Sequence, residues 1–592
     1  MTLLSKIALY SPLIINQVPS MTEYTAISFA PVQGFIEKSR KLRDLYGASL
    51  ILSYLSFRIV EKAKEHLGEN SVISPGLPTD QEGMPNRILI KGKFERNDVQ
   101  NTLLQEWQRI LRICREWVED NLGISKEQYC WSQPEDQIGK HKGEWERWGS
   151  HTWEVFWGYG DSVKSAMEDL ETRKLKRDWT GINWVGESSS LTGTDAIAWH
   201  QLGKENKEPG RLLTANEQQE LKRFYYRLAW VLDEPYTRNY KVRDLIPSDE
   251  KLEEYFKQET SGKFIAPGER LSIPELVKRL VTLPKLAKDI GMETLDKGFK
   301  DINREAGYWT GWFIGDGDKI GDKLQELASR HQDNPELRDR QIQEFTNLMR
   351  HWGKNFSEKK DLFTAGKGRV VYAGGDDFSG VLYTEESQSE DKPEKIKPIE
   401  AFEWLLNLPS HWKDLQKDIK DKFDFNFSFS VGFVWAGHQV PQRDLLQHCR
   451  EAEKRAKNLD RDRVTIRVVF NSGQFVQWTC PWNDLDILTK YRDRDGKTWG
   501  ENPNWNHIYN DWAQLKARHA IRLRNIGEEV ENDLSTDIAI SLFNLYFDNA
   551  GETYKKERKW ADFAGDNTNL KIISWLDNLI QVGWQLCRNS SI

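Results

Sequence analysis

Two runs of strand-forming residues flank a short glycine-rich, acidic stretch in the second half of the chain. Residues 370–373 and 378–383 are rich in β-branched and aromatic side chains, and Gly374-Gly375-Asp376-Asp377 lies between them. The paired glycines favour a tight turn and let main-chain N–H groups approach a phosphate, so the pattern predicts a β-hairpin with two carboxylates at its tip. An ordinary polar turn would explain this tetrad if it stood alone.

A second acidic stretch lies upstream, at Gly315-Asp316-Gly317-Asp318. Residues 308–314 before it predict an aromatic strand, and the residues after it follow a helical pattern. Asp316 then falls at a strand end, and a central strand beside the hairpin would bring it close to Asp377. Adjacent carboxylates need a cation between them, so the sequence predicts a metal cluster suited to two-metal phosphoryl transfer.

Residues 24–180 repeat the same order of elements. The pattern predicts strands at 24–30, 70–74, 87–94 and 153–159, and helices at 35–67, 98–122 and from 162 onward. Aligning this βαββαβ copy with the later one sets Pro31 opposite Asp316 and Gln33 opposite Asp318. Proline has no side-chain ligand and a neutral glutamine binds a divalent ion weakly, so we expect the first copy to hold no metal.

Composition limits the class of protein. A chain of 592 residues predicts two to four domains, and its net charge of −7 argues against extensive coating of nucleic acid by this chain alone. The 25 tryptophans are interpreted as core and subunit-interface residues. The five cysteines form no C-x-x-C pair, which predicts no zinc site and no disulfide framework and favours a reducing cytosol. No apolar run is long enough to span a membrane.

The acidic motifs occur in an order that resembles the palm domain of GGDEF-type nucleotidyl cyclases. Phe313-Ile314 precedes the first acidic pair, the Gly-Gly-Asp-Asp-Phe hairpin follows, and then come Ser430-Val431-Gly432 and the basic motif at 456–464. Four ordered motifs are far more specific than the hairpin alone. Asp377 stands where the cyclases usually carry glutamate.

Other segments narrow the resemblance to one family. Residues 31–36, 39–55, 186–193 and 268–280 closely resemble the large subunit of type III CRISPR effector complexes of the Cmr type. The resemblance implies an α+β fold with two ferredoxin-like, nucleotidyl-cyclase palm domains, the first degenerate and the second carrying the Gly-Gly-Asp-Asp hairpin, plus two helical domains. On that basis we divide the chain into an extension at 1–22, a first palm at 23–211, a helical domain at 212–300, a second palm at 301–477 and a C-terminal helical domain at 478–592. We expect the biological start at Met21.

The resemblance also implies an activity. The second palm would bind ATP with Mg²⁺ or Mn²⁺ and join ATP units by 3′–5′ phosphoryl transfer into cyclic oligoadenylate when target RNA is bound. Asp316, Asp376 and Asp377 would be catalytic and hold the metals, and Asp318 is a further metal candidate that could instead be structural. The residues expected to bind nucleotide are Gly315, Gly317, Lys319, Gly374, Gly375, Ser430, Lys457, Arg40 and Arg43.

The basic cluster that includes Arg40 and Arg43 has a simpler alternative, a solvated helix face. The basic run at 516–524 likewise predicts either an exposed helix face or a contact with RNA or a neighbouring subunit. The charged stretch at 385–398 is interpreted as a loop beside the hairpin.

The implied partners are the other subunits of the complex, with guide crRNA and target RNA bound through it, in the cytoplasm and away from membranes. No histidine is followed by aspartate, so we expect no HD nuclease; serines at 188–190 stand where part of a family zinc site is expected, so we expect no zinc. Three alternatives stay open: a cyclic dinucleotide synthase, transfer of AMP to a non-nucleotide acceptor, and a silent structural subunit.

Overall fold

The computed structural model describes most of the chain. The described residues are 22–78, 83–132, 143–176, 187–201, 213–233, 246–257, 262–295, 299–302, 304–331, 333–364, 367–385, 394–523, 534–564 and 569–588. Residues 1–21, which include the expected start at Met21, lie outside this set, as do 386–393 of the charged stretch and Arg524 of the basic run.

The described residues form ten strands in two sheets. The strands are β1 Tyr24–Ala30, β2 Val72–Ser74, β3 Arg87–Lys91, β4 Glu154–Gly160, β5 Thr310–Gly317, β6 Arg369–Ala373, β7 Asp377–Leu382, β8 Phe429–Ala436, β9 Arg463–Val469 and β10 Phe475–Pro481.

Helices surround both sheets. In the first half of the chain they are α1 Val32–Glu37, α2 Leu42–Leu67, α3 Arg96–Asn121, α4 Glu144–His151, α5 Val163–Leu175, α6 Ala215–Asp233, α7 Asp249–Tyr255, α8 Ile273–Leu280 and α9 Pro284–Ile290. In the second half they are α10 Ile320–Arg330, α11 Pro335–Glu358, α12 Pro398–Asn407, α13 Lys413–Phe423, α14 Gln442–Asn458, α15 Asn506–Ala517, α16 Leu534–Tyr546, α17 Ala550–Lys556, α18 Lys559–Ala564 and α19 Asn569–Cys587.

The two sheets share one strand order. The first runs β2-β3-β1-β4, with every neighbouring pair antiparallel. The second runs β10-β9-β8-β5-β7-β6, and its four strands β6-β7-β5-β8 repeat the order of the first sheet. β9 then joins β8 in parallel, and β10 pairs with β9 antiparallel. The predicted α+β class is confirmed, and the strands fall close to their predicted positions.

The two βαββαβ units, 24–175 and 310–436, pack against each other reciprocally. Helix α2, which precedes β2 in the first unit, contacts β6 of the second. Helix α11, which precedes β6, contacts β2 of the first. Side chains of α11 reach the edge of β2, where Gln343 donates a hydrogen bond to the Val72 carbonyl at 3.3 Å. Because each unit packs a helix against the other in this way, the strand ends of both units border one shared cleft.

The single helix predicted over 35–67 is instead two helices, α1 and α2. The chain turns at residues 38–41 because the Asp44 carboxylate accepts hydrogen bonds from the N–H groups of Arg40 and Lys41, both at 2.9 Å. Those N–H groups belong to the open end of a new helix, and a carboxylate in the first turn also complements the helix dipole. This break gives the first unit a short helix that forms one wall of the cleft.

Helices dominate the remaining described segments. Helices α6 to α9 follow the first unit, and α15 to α19 follow the second sheet. Within the basic run, Lys516 pairs with Asp577 of α19 at 2.7 Å, so that part of the run serves internal packing. All five cysteines are free thiols. None of the helices in the described part of the chain is both long and apolar enough to cross a membrane.

Candidate active site

Strand register brings the two acidic stretches together. In the antiparallel pair of β5 and β7, Asp316 lies directly opposite Asp377. The Gly317 N–H donates to the Asp376 carbonyl at 2.9 Å, which fixes the hairpin tip against the end of β5. The prediction that a central strand beside the hairpin carries Asp316 next to Asp377 is therefore confirmed.

Two glycines are required by local geometry. Gly375 has a φ of +129°, a conformation that side chains rarely adopt, and it turns the hairpin. A β-carbon on Gly315 would lie 2.1 Å from the Phe378 ring, so this glycine lets that ring pack across β5. The need for glycine at 315 therefore comes from packing beneath the hairpin.

The carboxylates destabilise one another's charged forms. Burial raises the pKa of Asp376, and the charge of Asp316 raises it further. Asp377 is exposed and lines the cleft. The protein around it raises the pKa of Asp377 well above its usual range by desolvation, and the hydrogen bond to Asp316 and the charge of Asp376 add to the effect. Such a cluster has a strong electrostatic requirement for positive charge.

Lys457 supplies part of that charge. Its ammonium pairs with the Asp316 carboxylate and lies 2.6 Å from Glu453 on the preceding turn of α14. Burial works against the charged form of Lys457, but Asp316 and Glu453 outweigh it and raise its pKa. One lysine cannot balance three aspartates and a glutamate, so the electrostatic deficit remains.

A divalent cation suits this set of donors. Among the described residues, no three acidic, histidine or cysteine side chains already stand in the arrangement of a metal-binding site. Asp316, Asp376 and Asp377 nevertheless offer oxygen ligands from two adjacent strand ends. Burial and neighbouring carboxylates raise the pKa of Asp376 and of Asp377, so a positive charge beside them would favour their ionised forms. Oxygen donors from a few carboxylates, with the remaining positions left to water and phosphate, are typical of Mg²⁺ sites.

Asp318 and Ser430 are hydrogen-bonded to each other, which agrees with the structural alternative given for Asp318 and differs from the role predicted for Ser430. The Asp318 carboxylate accepts hydrogen bonds from the hydroxyls of Ser428 and Ser430, each at 2.7 Å, and from the Asp462 N–H at 3.1 Å. Asp318 is 3% exposed and Ser430 is fully buried. The structure therefore argues against metal binding by Asp318 and nucleotide binding by Ser430, because their polar atoms satisfy each other beneath the sheet.

A cleft of about 690 Å³ lies between the two units and reaches the carboxylates. Of the predicted site residues, Gly315, Asp316, Asp377 and Lys457 line it. Gly317, Lys319, Gly374 and Gly375 do not, although the glycines belong to the backbone that holds the aspartates. Lys319 is exposed, at the start of α10, in a left-handed conformation.

The two walls of the cleft differ in charge. The charged residues that line it all come from the second unit and its continuation: Asp316, Asp377, Arg450, Glu453, Lys454, Lys457 and Arg461. The first unit contributes five apolar side chains, namely Val32, Ile36, Leu45, Leu52 and Met84. It adds three neutral polar ones, Gln33, Ser49 and Asn86.

Arg40 and Arg43, predicted to bind nucleotide, are not among the residues that line this cleft. Arg43 pairs with Asp301 at 3.2 Å and its guanidinium lies 4.1 Å from the centre of the Phe264 ring. Arg40 contacts Glu269 at 3.5 Å. Both cations contact the segment that follows the first unit. Arg40 is nevertheless exposed, as the solvated-face alternative expects, and nucleotide binding by Arg40 and Arg43 stays a prediction.

Sequence reasoning predicted Lys457 but did not name the other three cations that line the cleft, Arg450, Lys454 and Arg461. Arg450, Lys454 and Lys457 lie on one face of α14, spaced four and three residues apart, and Arg461 follows the helix. This helical spacing could have identified Arg450 and Lys454 from the sequence, because it puts them on the same helix face as Lys457, which belongs to the motif at 456–464. Arg450 also pairs with Glu37 of α1 at 2.7 Å, across the two units.

Two parts of the chain match models of known protein families. Residues 24–84 match the family model for CRISPR-associated protein Cmr2, N-terminal, and residues 310–465 match the model for Cas10/Cmr2, second palm domain. None of the curated proteins matches the chain.

Several solved structures are similar at low sequence identity. A type III-B Cmr-beta complex in its apo state contains a chain with a TM-score of 0.49 and 11% identity, covering 90% of this chain and 82% of its own. Csm1 from T. onnurineus has a TM-score of 0.44 and 12% identity, covering 96% of this chain and 70% of its own. A Csm1–Csm4 cassette in complex with one ATP has a TM-score of 0.42 and 12% identity, with the same coverage of both chains.

Proposed function

We propose that this chain is a large subunit of the Cas10/Cmr2 family of type III CRISPR effector complexes, and that its second unit joins ATP units into cyclic oligoadenylate when target RNA is bound. The observation that carries this proposal is the register of β5 and β7, which sets Asp316 opposite Asp377 on the wall of a large cleft. The other subunits and the crRNA-bound target would supply the activating signal.

The residues of the second unit divide the work of phosphoryl transfer. Asp316, Asp376 and Asp377 hold divalent metal, which when bound supplies Lewis-acid stabilisation of the reacting phosphate oxygens. Lys457 lies beside Asp316, and its ammonium group would stabilise the negative charge that develops on the phosphate oxygens as pyrophosphate leaves. Lys454 and Arg461 line the same wall and bind the outer phosphates.

The bonds that change are few. A ribose 3′-oxygen attacks the α-phosphorus of a second ATP, a new phosphodiester bond forms, and the bond to pyrophosphate breaks. Positioning and electrostatics dominate catalysis of such transfers, so a preorganised acidic edge on a rigid sheet is the main requirement. The backbone hydrogen bond from Gly317 to Asp376 provides that rigidity.

The test is turnover by the assembled complex. The complex is incubated with labelled ATP, Mg²⁺ and matched target RNA, and the products are separated by chromatography. We expect Asp376→Ala combined with Asp377→Ala to abolish product while assembly and RNA binding persist. Asp322→Ala is the matched control, because Asp322 is an exposed aspartate on α10, close in sequence to Asp316 and outside the cleft.

The outcomes separate the alternatives. A cyclic dinucleotide or an AMP adduct of another acceptor would replace the proposed product with a related reaction on the same site. Unchanged product yield from the double variant would remove the hairpin from the chemistry. Complete absence of product from the native complex, in the presence of target RNA, would favour a structural subunit.

A further inference from the structure

The loop between α14 and β9 has an unusual backbone. Asp460, Arg461 and Asp462 follow one another with φ angles of +85°, +65° and +49°. Residues other than glycine rarely adopt positive φ, and arginine is less suited to it than aspartate. Strained residues of this kind persist only where the surrounding structure holds them, and they are typical of functional sites. The contacts of the loop therefore need an account.

Hydrogen bonds to the main chain hold part of the loop. The Arg461 N–H donates to the Ala456 carbonyl at 3.1 Å, which ties the loop to the last turn of α14. The Arg461 carbonyl accepts from the Arg463 guanidinium at 2.7 Å. The Asp462 carbonyl accepts from the Trp482 N–H at 3.3 Å. These bonds connect the loop to its own neighbours in the sheet and helix, and not to the acidic cluster.

Asp318 makes the connection to the acidic cluster. It comes two residues after Asp316, directly beyond the end of β5, and is 3% exposed. Its carboxylate accepts from the hydroxyls of Ser428 and Ser430 and from the Asp462 N–H. One buried carboxylate therefore holds the 460–462 loop against the strand that carries Asp316.

The side chain that this loop presents is an unpaired cation. Arg461 is half-buried and lines the cleft, and its guanidinium makes no hydrogen bond or ion pair with any residue in the described part of the chain. Arg450 and Lys457, on the same wall, already pair with Glu37 and Asp316. A guanidinium on a held backbone loses little freedom when it binds a phosphate through two parallel hydrogen bonds.

We propose that Asp318 is a positioning residue: its bond to the Asp462 N–H holds the 460–462 loop so that Arg461 meets the outer phosphates of a nucleoside triphosphate. This inference rests on the proposed function, which gives those phosphates to Arg461. A monophosphate lacks them, so the device should favour ATP over AMP. Asp318 needs only a hydrogen-bond acceptor for this task, whereas a metal ligand at the same position would need its charge.

The experiment measures equilibrium binding of ATP and of AMP to the full chain, and of Mn²⁺ by electron paramagnetic resonance. Arg461→Ala should weaken ATP by about tenfold and leave AMP unchanged, because it removes a contact to the outer phosphates alone. Asp318→Ala should weaken ATP by a similar factor and change neither AMP nor Mn²⁺ affinity. The double variant should bind ATP no more weakly than Arg461→Ala, since Asp318 acts through Arg461.

A conservative variant and a matched control separate positioning from general damage. Asp318→Asn should bind ATP almost as the native chain does, because its amide oxygen can still accept from Asp462 while its nitrogen donates to the Ser430 hydroxyl. Ser428→Ala removes a 2.7 Å hydrogen bond from the same carboxylate and leaves the bond to the loop in place. We expect it to change neither nucleotide affinity.

Asp462→Pro keeps the test valid if Asp318→Ala fails to fold. Asp462 is exposed, so its replacement leaves the buried carboxylate and its two serine partners intact. Proline has no N–H and cannot adopt a φ of +49°, so the bond to Asp318 is lost and the loop must change. ATP affinity should fall to that of Arg461→Ala, with AMP affinity unchanged.

Specific results would overturn the inference. Equal weakening of ATP and AMP by Asp318→Ala would show a general structural role, and a further loss of ATP in the double variant would show that Asp318 acts independently of Arg461. Loss of Mn²⁺ binding in Asp318→Asn would make Asp318 a metal ligand. If the binding pattern holds and the complex yields no oligoadenylate, the positioning role stands and the proposed reaction is wrong. If oligoadenylate forms and Asp462→Pro binds ATP normally, the reaction stands and the positioning role is wrong.

Discussion

The two βαββαβ units have the same strand order and differ at one edge. In the second unit, Asp316 is the penultimate residue of β5, Asp376 lies in the β6–β7 turn and Asp377 begins β7. In the first unit, β1 ends at Ala30 and is followed by Pro31, and the residues it presents to the cleft are uncharged. The comparison teaches that both sheets place their strand ends at the cleft in the same way. A few residues at those strand ends then decide whether the unit can hold metal ions or only contact a ligand.

The units also treat their buried charges differently. In the first, Asp44 is buried and paired with Arg279 through two hydrogen bonds of 2.8 Å. Burial opposes the charged form of Asp44, but Arg279 outweighs it and lowers the pKa to about 2. In the second, burial and the neighbouring carboxylates raise the pKa values of Asp376 and Asp377. We therefore expect the Asp44 carboxylate to stabilise the folded protein, and the charged forms of Asp376 and Asp377 to destabilise it.

The largest effect should come from the edge itself. Asp316→Asn is expected to lower oligoadenylate formation by about a thousandfold or more, because a metal ligand contributes several kcal/mol to such transfers. Gln33→Ala, at the aligned region of the first unit, should change the rate by less than about tenfold. Turnover of the assembled complex and Mn²⁺ binding followed by electron paramagnetic resonance would measure both. Loss of Mn²⁺ binding in the Gln33 variant would show that the first unit holds metal too.

The next effect concerns stability of the first unit. Asp44→Asn should destabilise the protein by about 3–5 kcal/mol, because it leaves the fully buried Arg279 guanidinium short of one partner. The folded pKa of Asp44 is depressed, so its contribution is present above its usual value of 3.8 and lost as pH falls toward about 2. The midpoint of the first denaturation transition near neutral pH and near pH 3 would measure this. Asp98→Asn, in an exposed pair with His66, should cost about 1 kcal/mol or less.

A smaller effect separates the cations of the two units. Lys457→Met should weaken ATP binding by about tenfold, because it removes a charge-assisted contact from the cleft. Arg40→Ala should leave ATP affinity unchanged, since Arg40 contacts Glu269 outside the cleft. Titration calorimetry with a non-hydrolysable ATP analogue would compare them. If both variants weakened ATP binding equally, Arg40 would take part in nucleotide binding. Both units would then contribute cations to the site.

The sequence predicted the acidic site better than its surroundings. Asp316, Asp376 and Asp377 were predictable because strand ends and a Gly-Gly turn fix local geometry. The contact of Arg43 could not be predicted, since its partner Asp301 lies far along the chain and only the folded structure brings the two residues together. The same holds for the break between α1 and α2, which depends on Asp44 turning back to cap its own helix. Ser430 was misassigned because the motif gave its position in β8 but not its partner, Asp318.

The smallest effect tests how much the three neighbouring aspartates reduce the free energy of unfolding. Asp377→Asn should stabilise the metal-free protein by about 1 kcal/mol, because it removes a like charge from beside Asp316 and Asp376, and active sites commonly sacrifice stability in this way. Excess Mg²⁺ should erase or reverse the gain, since the native site binds the ion and the variant binds it more weakly. Asp322→Asn, exposed on α10, should change little in either condition. Denaturation midpoints with chelator and with Mg²⁺ would decide the matter. A variant less stable than native in chelator would mean that Lys457 already balances the cluster, and the contrast between the paired Asp44 and the unbalanced hairpin would no longer hold.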